Sequence, residues 1–224
     1  MQQNKMSMKL NEVEAVRLAP PFVLLEGARL GMQSDFDIAK RIADIVCSVA
    51  ILALSSPLLI LIAIVVRLSS PGPAIFWSRR RGRYDLPFMM PKFRTMYCDT
   101  PEVPSVELGS ARSCITPIGR ILRQTSLDEL PQLWSVLIGD MSLIGPRPVI
   151  CAEVELAERR ASLGIEKLAP GITGWAQVNG RDSVGTEQKA LLDHYYLLHR
   201  SIQMDIRILF ATIICVLSRK GILH

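Results

Sequence analysis

Residues 45–66 read IVCSVAILALSSPLLILIAIVV, a run of apolar and small residues without a charge. As one straight helix it would extend ~33 Å at ~1.5 Å per residue, enough to cross the ~30 Å hydrocarbon core of a bilayer. Two features argue for a different path. Ser55, Ser56 and Pro57 sit at its centre. Proline removes a backbone donor and crowds the preceding turn, so a kink or break is expected at Ser56-Pro57. Each half then covers ~15 Å, about one leaflet. Lys40 and Arg41 stand before the run and Arg67 after it. Positive charge prefers the cytoplasmic side, so cations at both ends fit a helix that enters and returns on one side. A spanning helix with a tolerated proline is the competing reading, and these residues alone leave both open.

Working outward, the first 33 residues are mixed in charge and hold Pro20-Pro21. They read as a weakly structured leader over residues 1–35, with no cleavable signal peptide. The membrane segment then covers residues 36–68. From residue 69 to 224 the composition turns to that of an α/β-type mixed, mostly helical domain rich in Gly, Pro and Arg. Hydrophobic residues make up 49% of the chain, which leaves apolar material for a core and for a membrane contact. A formal net charge of +5 suits an anionic membrane surface or phosphate-bearing ligands. Nucleic acid is disfavoured, because no zinc finger, ribonucleoprotein motif or basic zipper is present. The five cysteines are scattered without a CxxC pair, against a disulfide framework or structural zinc. No phosphate loop and no GxGxxG follow a strand, which disfavours kinase, ATPase and dinucleotide chemistry. The three histidines lack metal-ligand spacing. The run Ile208–Leu217 is too short to span and reads as a core or interfacial helix. Arg79–Arg83 reads mainly as a headgroup-facing patch.

Residues 120–148, RILRQTSLDELPQLWSVLIGDMSLIGPRP, hold the candidate chemistry. Ser126 is placed to cap a helix beginning at Leu127, with Glu129 at the capping-box position. Asp128-Glu129 could serve only as dipole partners there. However, Arg120 and Arg123 precede the pair, and Gly145-Pro146-Arg147-Pro148 presents another arginine on a stiff turn. Acids and arginines gathered in this way suit a Mg²⁺-bound phosphate substrate.

Several motifs in order resemble those of the bacterial sugar transferases, the small monotopic phosphoglycosyl transferases. They are Lys40-Arg41-x-x-Asp44, Ser56-Pro57, Ser70-Pro71-Gly72-Pro73 and Lys92-Phe93-Arg94-Thr95-Met96, then Thr125 to Leu133, Gly139 to Pro148, and Pro170 to Arg181. The likeness covers roughly Lys40 to Leu217. It implies a compact membrane-associated catalytic domain with a re-entrant helix broken at Ser56-Pro57 and interfacial helices. It implies Asp128 as nucleophile on the β-phosphate of a UDP-sugar, expelling UMP, and Glu129 beside it, the pair holding Mg²⁺. A polyprenyl (undecaprenyl) phosphate then takes the phosphosugar. Lys92, Arg94, Arg123, Arg147 and Arg181 are the expected phosphate and nucleotide ligands. The expected place is the cytoplasmic face of the bacterial inner membrane. The expected role is the first membrane step of exopolysaccharide, O-antigen, capsule or glycoprotein glycan synthesis. Departures occur at Ser78, Asp85, Ser135, Ile138 and His199-Arg200, which leave the sugar undetermined. A scaffold without turnover and a phosphohydrolase are the alternatives, and homodimerisation is left open.

Overall fold

The computed structural model describes residues 26–98, 100, 114–180 and 184–218. Helix α1 (Glu26–Ser69) is followed by strands β1 (Ile75–Arg81) and β2 (Pro87–Phe93). Helices α2 (Pro117–Thr125) and α3 (Gln132–Ile138) come next, then β3 (Ser142–Ile144) and β4 (Val149–Ile150). Helix α4 (Val154–Ser162), β5 (Gly171–Thr173), α5 (Trp175–Asn179), α6 (Thr186–His199) and α7 (Ile202–Ser218) complete the chain. The fold is mixed and mostly helical, as expected. The chain divides after Ala39 into two compact units, and the contacts below lie in the second, from Lys40 on.

From Phe36 to Ser69, α1 is long and apolar enough to cross a membrane, and an 18-residue stretch within it has a mean hydropathy of 2.9. The expected break is absent as an interruption: the helical conformation continues through Pro57. The local reason is visible in the serines. Pro57 has no N–H to give to the carbonyl of Ala53, four residues back. The Ser56 hydroxyl donates to that carbonyl instead, at 2.9 Å. The Ser55 hydroxyl donates to Ile51 in the same way, at 2.6 Å.

Between its ends α1 is largely bare, with Leu54 87% exposed. It is anchored on both sides of that bare stretch. Before it, Arg41 donates to the carbonyls of Val136 and Leu137 on α3, at 2.6 and 2.8 Å. Asp44 accepts from the Ser142 hydroxyl and the Leu143 amide on β3, at 2.7 and 3.2 Å. Beyond that stretch, Ile62 and Val66 share a core with Phe93 and Leu122.

Strand β1 pairs antiparallel with β2 on one side and β4 on the other. Its register sets Phe76 opposite Lys92, Ser78 opposite Met90 and Arg80 opposite Phe88. Directly opposed residues share a face, so Ser78, Arg80 and Lys92 lie on one face of the sheet. The loop joining the two strands places Tyr84 and Asp85 in the left-handed region, at φ 56° and 60°. Asp85, one of the departures from the motif pattern, thus holds a conformation that favours glycine.

Strand β3 pairs parallel with β5. Gly171 and Gly174 let the two segments touch backbone to backbone. A side chain at Gly171 would strike the amide of Gly145, and one at Gly174 would strike its carbonyl. Helix α7 buries Met204 and Ile208 against Ile144 and Tyr196, while Phe210, Ile213 and Ile214 stay exposed. The run read as core or interfacial is therefore core on one side and bare on the other.

Candidate active site

Helix α2 opens at Thr116, whose hydroxyl oxygen accepts from the Gly119 amide at 2.9 Å, with Pro117 in the first turn. A side chain at Gly119 would run into the carbonyl of Thr95, so α2 lies directly on the segment leaving β2. That contact seats Arg123: its Nε donates to the Thr95 hydroxyl at 2.9 Å.

Helix α2 ends at Ser126, which takes the left-handed conformation at φ 56° and ψ 17°. The sequence led us to expect a helix start here. Ser126 instead closes the preceding helix, and its side chain makes no cap bond. A single 3-10 turn, Leu127–Glu129, follows. A non-glycine residue in this conformation costs of order 1 kcal/mol, a strain that recurs at functional sites. Leu127 packs against the cluster of Ile62, Val66, Phe93 and Leu122. The next two residues are the carboxylates.

Asp128 is only 8% exposed. Burial, with the Glu129 carboxylate adding to it, pushes its carboxyl up to about 6, against the pull of Lys92 and Arg123. Lys92 reaches the same place from β2. Burial and the nearby Arg80 and Arg147 push its amine down to about 8, against the Glu129 and Asp128 carboxylates. Burial also holds Arg123 below its ordinary value, against the pull of Asp128. Arg147 approaches Glu129 at 3.6 Å from the Gly145–Pro148 loop, with its side chain 55% exposed. Lys92, Arg123 and Arg147 therefore meet the two carboxylates, and Arg80 stands beside Lys92, so four cations against two acids leave an excess of two positive charges. Such a site favours a doubly charged anion such as a diphosphate.

Asp128, Glu129, Lys92, Arg123 and Arg147, all expected from the sequence, are thus brought together. Arg181 lies outside the described residues. Arg94 is put to a different use. It is 5% exposed and donates to the carbonyls of Ser70 and Pro71, both at 2.7 Å, and to the Ser70 hydroxyl at 2.9 Å. It staples the turn after α1 to the end of β2. Arg80 was missed, because the run Arg79–Arg83 was read as one surface patch. Period-two alternation separates it: Arg80 shares the face of Lys92, and Arg79 does not.

A model of the bacterial sugar transferase family matches residues 36–219. This chain belongs to the bacterial sugar transferase family. A UDP-glucose:undecaprenyl-phosphate glucose-1-phosphate transferase of Caulobacter vibrioides is 41% identical to this transferase over 192 residues, 81% of this chain and 71% of its own. A sugar transferase of Bacillus subtilis, itself uncharacterised, is 38% identical over 185 residues, 83% and 90% of the two chains. An Escherichia coli protein named like the first is 41% identical over 181 residues, 78% of this chain but 39% of its own. The transferase therefore spans well under half of that longer relative.

Among the described residues of this sugar transferase, no three His, Cys, Asp or Glu side chains cluster as a closed metal cage. The adjacent carboxylates Asp128 and Glu129 are the available hard ligands. Mg²⁺ commonly binds one or two carboxylates and completes its shell with phosphates and water, so this pair fits it.

Proposed function

We propose that this sugar transferase moves a sugar-1-phosphate from a UDP-sugar to a polyprenyl phosphate by way of Asp128. The observation that carries the reading is the placement of Asp128, a buried carboxylate set beside Glu129 and facing Lys92 and Arg123. An acid that merely stabilised a helix start would stand in solvent at its ordinary value. The names of the relatives support the same donor and acceptor classes.

An oxygen of ionised Asp128 attacks the β-phosphorus of the UDP-sugar. The bond from that phosphorus to the oxygen bridging the α-phosphate breaks, and UMP leaves with the electron pair. The phosphate oxygen of the lipid then attacks the same phosphorus, and Asp128 departs as a carboxylate. A carboxylate nucleophile thus divides one displacement between anions into two. Lys92, Arg80, Arg123 and Arg147 hold phosphate oxygens, and Thr95 orients Arg123. Mg²⁺, when bound, offsets phosphate charge, with Asp128 and Glu129 as its protein ligands.

In this reading α1 dips into the bilayer and returns, with the domain on the cytoplasmic face of the inner membrane. Support comes from the anchors on both sides of its bare apolar stretch, Arg41 and Asp44 before it and Ile62 and Val66 after it, all held by one catalytic unit. Leu127 packs on α1 directly before the dyad, so the carboxylates would face the lipid phosphate at headgroup depth. The product would start a surface glycan.

Intact-protein mass spectrometry tests the mechanism. With a UDP-sugar, Mg²⁺ and no lipid, the wild type should gain one phosphosugar and release one equivalent of UMP. Asp128→Asn should remain folded and gain nothing. Turnover by Asp128→Asn at a substantial fraction of the wild-type rate would sink the assignment.

A further inference from the structure

The loop that presents Arg147 is held from three sides. The Gly145 amide donates to the Thr173 carbonyl at 2.9 Å, and the Gly171 amide donates to the Pro146 carbonyl at 2.8 Å. Both are backbone contacts made by β5. The carbonyl of Arg147 itself accepts from a side chain, Nη1 of Arg160 on α4, at 2.7 Å. Arg160 is 8% exposed, and its remaining edge is occupied. Nε and Nη2 donate to one oxygen of Asp193 on α6, at 3.0 and 2.6 Å. Asp193 is 1% exposed.

A buried ion pair is a poor stabiliser, because desolvation of both charges offsets most of their attraction. This pair has a second effect, since the guanidinium edge it leaves over fixes the orientation of the peptide that follows Arg147. Pro146 has a fixed φ, and Pro148 confines the residue before it to extended conformations. With its carbonyl also fixed, Arg147 retains little backbone freedom, and its guanidinium is delivered 3.6 Å from Glu129.

We propose that Arg160, held by Asp193, is a positioning residue that aims Arg147 at the substrate phosphates beside the dyad. The proposal rests on the transfer reading above for the identity of those phosphates. Positioning of this kind matters because a displacement of about 1 Å is enough to cost ~100-fold in rate.

A double-mutant cycle on the full-length chain in detergent tests it, read both as UMP release and as affinity for UDP with Mg²⁺ by calorimetry. Arg160→Lys keeps a cation for Asp193 but cannot also bond the Arg147 carbonyl in the same geometry. We expect Arg160→Lys to lower the rate tenfold or more and to weaken UDP severalfold. In an Arg147→Ala background the same change should alter either quantity less than twofold. Any loss of general stability enters both backgrounds alike. Equal losses in the two backgrounds, or full activity and affinity in Arg160→Lys alone, would overturn the proposal. If Arg160→Lys fails to fold, Asp193→Asn in the same two backgrounds completes the cycle. Absence of UMP release from the wild type would instead overturn the transfer reading, and the UDP affinities would still decide the role of Arg160.

Discussion

The burial of Asp128 has a stability cost whose pH dependence follows from its shift. Its carboxyl is raised from 3.8 to about 6 in the fold. The protonated form is therefore favoured by folding. Whatever it contributes is present below pH ~4 and lost as pH rises through ~6. Asp128→Asn does not titrate, so in chelator-treated protein it should be the more stable form at pH 7.5. The gap of about two pH units sets that gain at no more than about 3 kcal/mol. The advantage should vanish near pH 4, as urea or thermal unfolding in detergent would reveal. A constant difference across this range would remove the burial argument. At the same scale, Arg94 and Arg123 should part company. Arg94→Ala leaves the carbonyls of Ser70 and Pro71 without their charged donor and should cost roughly 2–4 kcal/mol of stability. In the proposed site, Arg123→Ala would remove a charge-assisted contact to phosphate and should lower the rate about 10- to 100-fold with little loss of stability. Melting and UMP-release measurements on the two variants should therefore rank them in opposite orders.

Among the elements, α1 carries the proposed contact with the membrane. Two serines and a proline keep it helical while removing one rung of its hydrogen-bond ladder, the rung that the Ser56 hydroxyl replaces. In hydrocarbon an unpaired carbonyl has no water to turn to. Ser56→Ala should therefore destabilise the protein by about 1–2 kcal/mol, the cost of one unpaired buried acceptor. In Pro57→Leu the backbone donor returns, and Ser56→Ala should then be close to neutral. Pro57→Leu should also straighten the helix and let it span. In a cysteine-free background carrying Phe36→Cys and Asp85→Cys, membrane-impermeant labelling of intact cells reads the outcome. Both sites should be protected with Pro57 in place, and one should become accessible in Pro57→Leu. Labelling of one site from outside in the Pro57 protein would refute the re-entrant path.

Across the whole molecule, a buried polar network ties α1 to the elements that present the site. Lys40 donates to Asp205 on α7 at 2.8 Å, and Tyr196 on α6 donates to the other oxygen of that carboxylate at 2.8 Å. Burial and the same carboxylate hold the phenol well above its ordinary range, so it stays a donor at every working pH. Asp44, one turn after Lys40, is bonded to β3, which runs directly into the Gly145–Pro148 loop. Helix anchorage and the presentation of Arg147 therefore share one support. Lys40→Ala would leave Asp205 and Asp44 without their cation, and should cost roughly 3–5 kcal/mol. Adding Asp205→Asn should restore a large part of that loss in detergent melts. No loss in the single variant would mean that the network is not a support.

Much of this protein was legible in its sequence, because the deciding signals are local. The uncharged run of residues 45–66, the acids at 128 and 129, and the proline-fixed arginine at 147 report their chemistry without reference to distant residues. Tertiary structure decided what locality could not. Arg94 and Lys92 sit two residues apart in one motif, yet Lys92 enters the site and Arg94 binds a turn 24 residues earlier. Arg80 leaves its basic run for the site because strand pairing assigns it the face of Lys92. Ser126 closes one helix and opens only a single 3-10 turn without a side-chain cap, because that turn follows Leu127 into a core shared with α1. Arg160 and Asp193 lie 33 residues apart with no spacing to connect them, and packing of α4 beside α6 makes them a pair. The physical reason is common to all four. A side chain's type sets what it can bind, but its role depends on which donors, acceptors and charges the fold brings within about 3 Å, and those come from elsewhere in the chain.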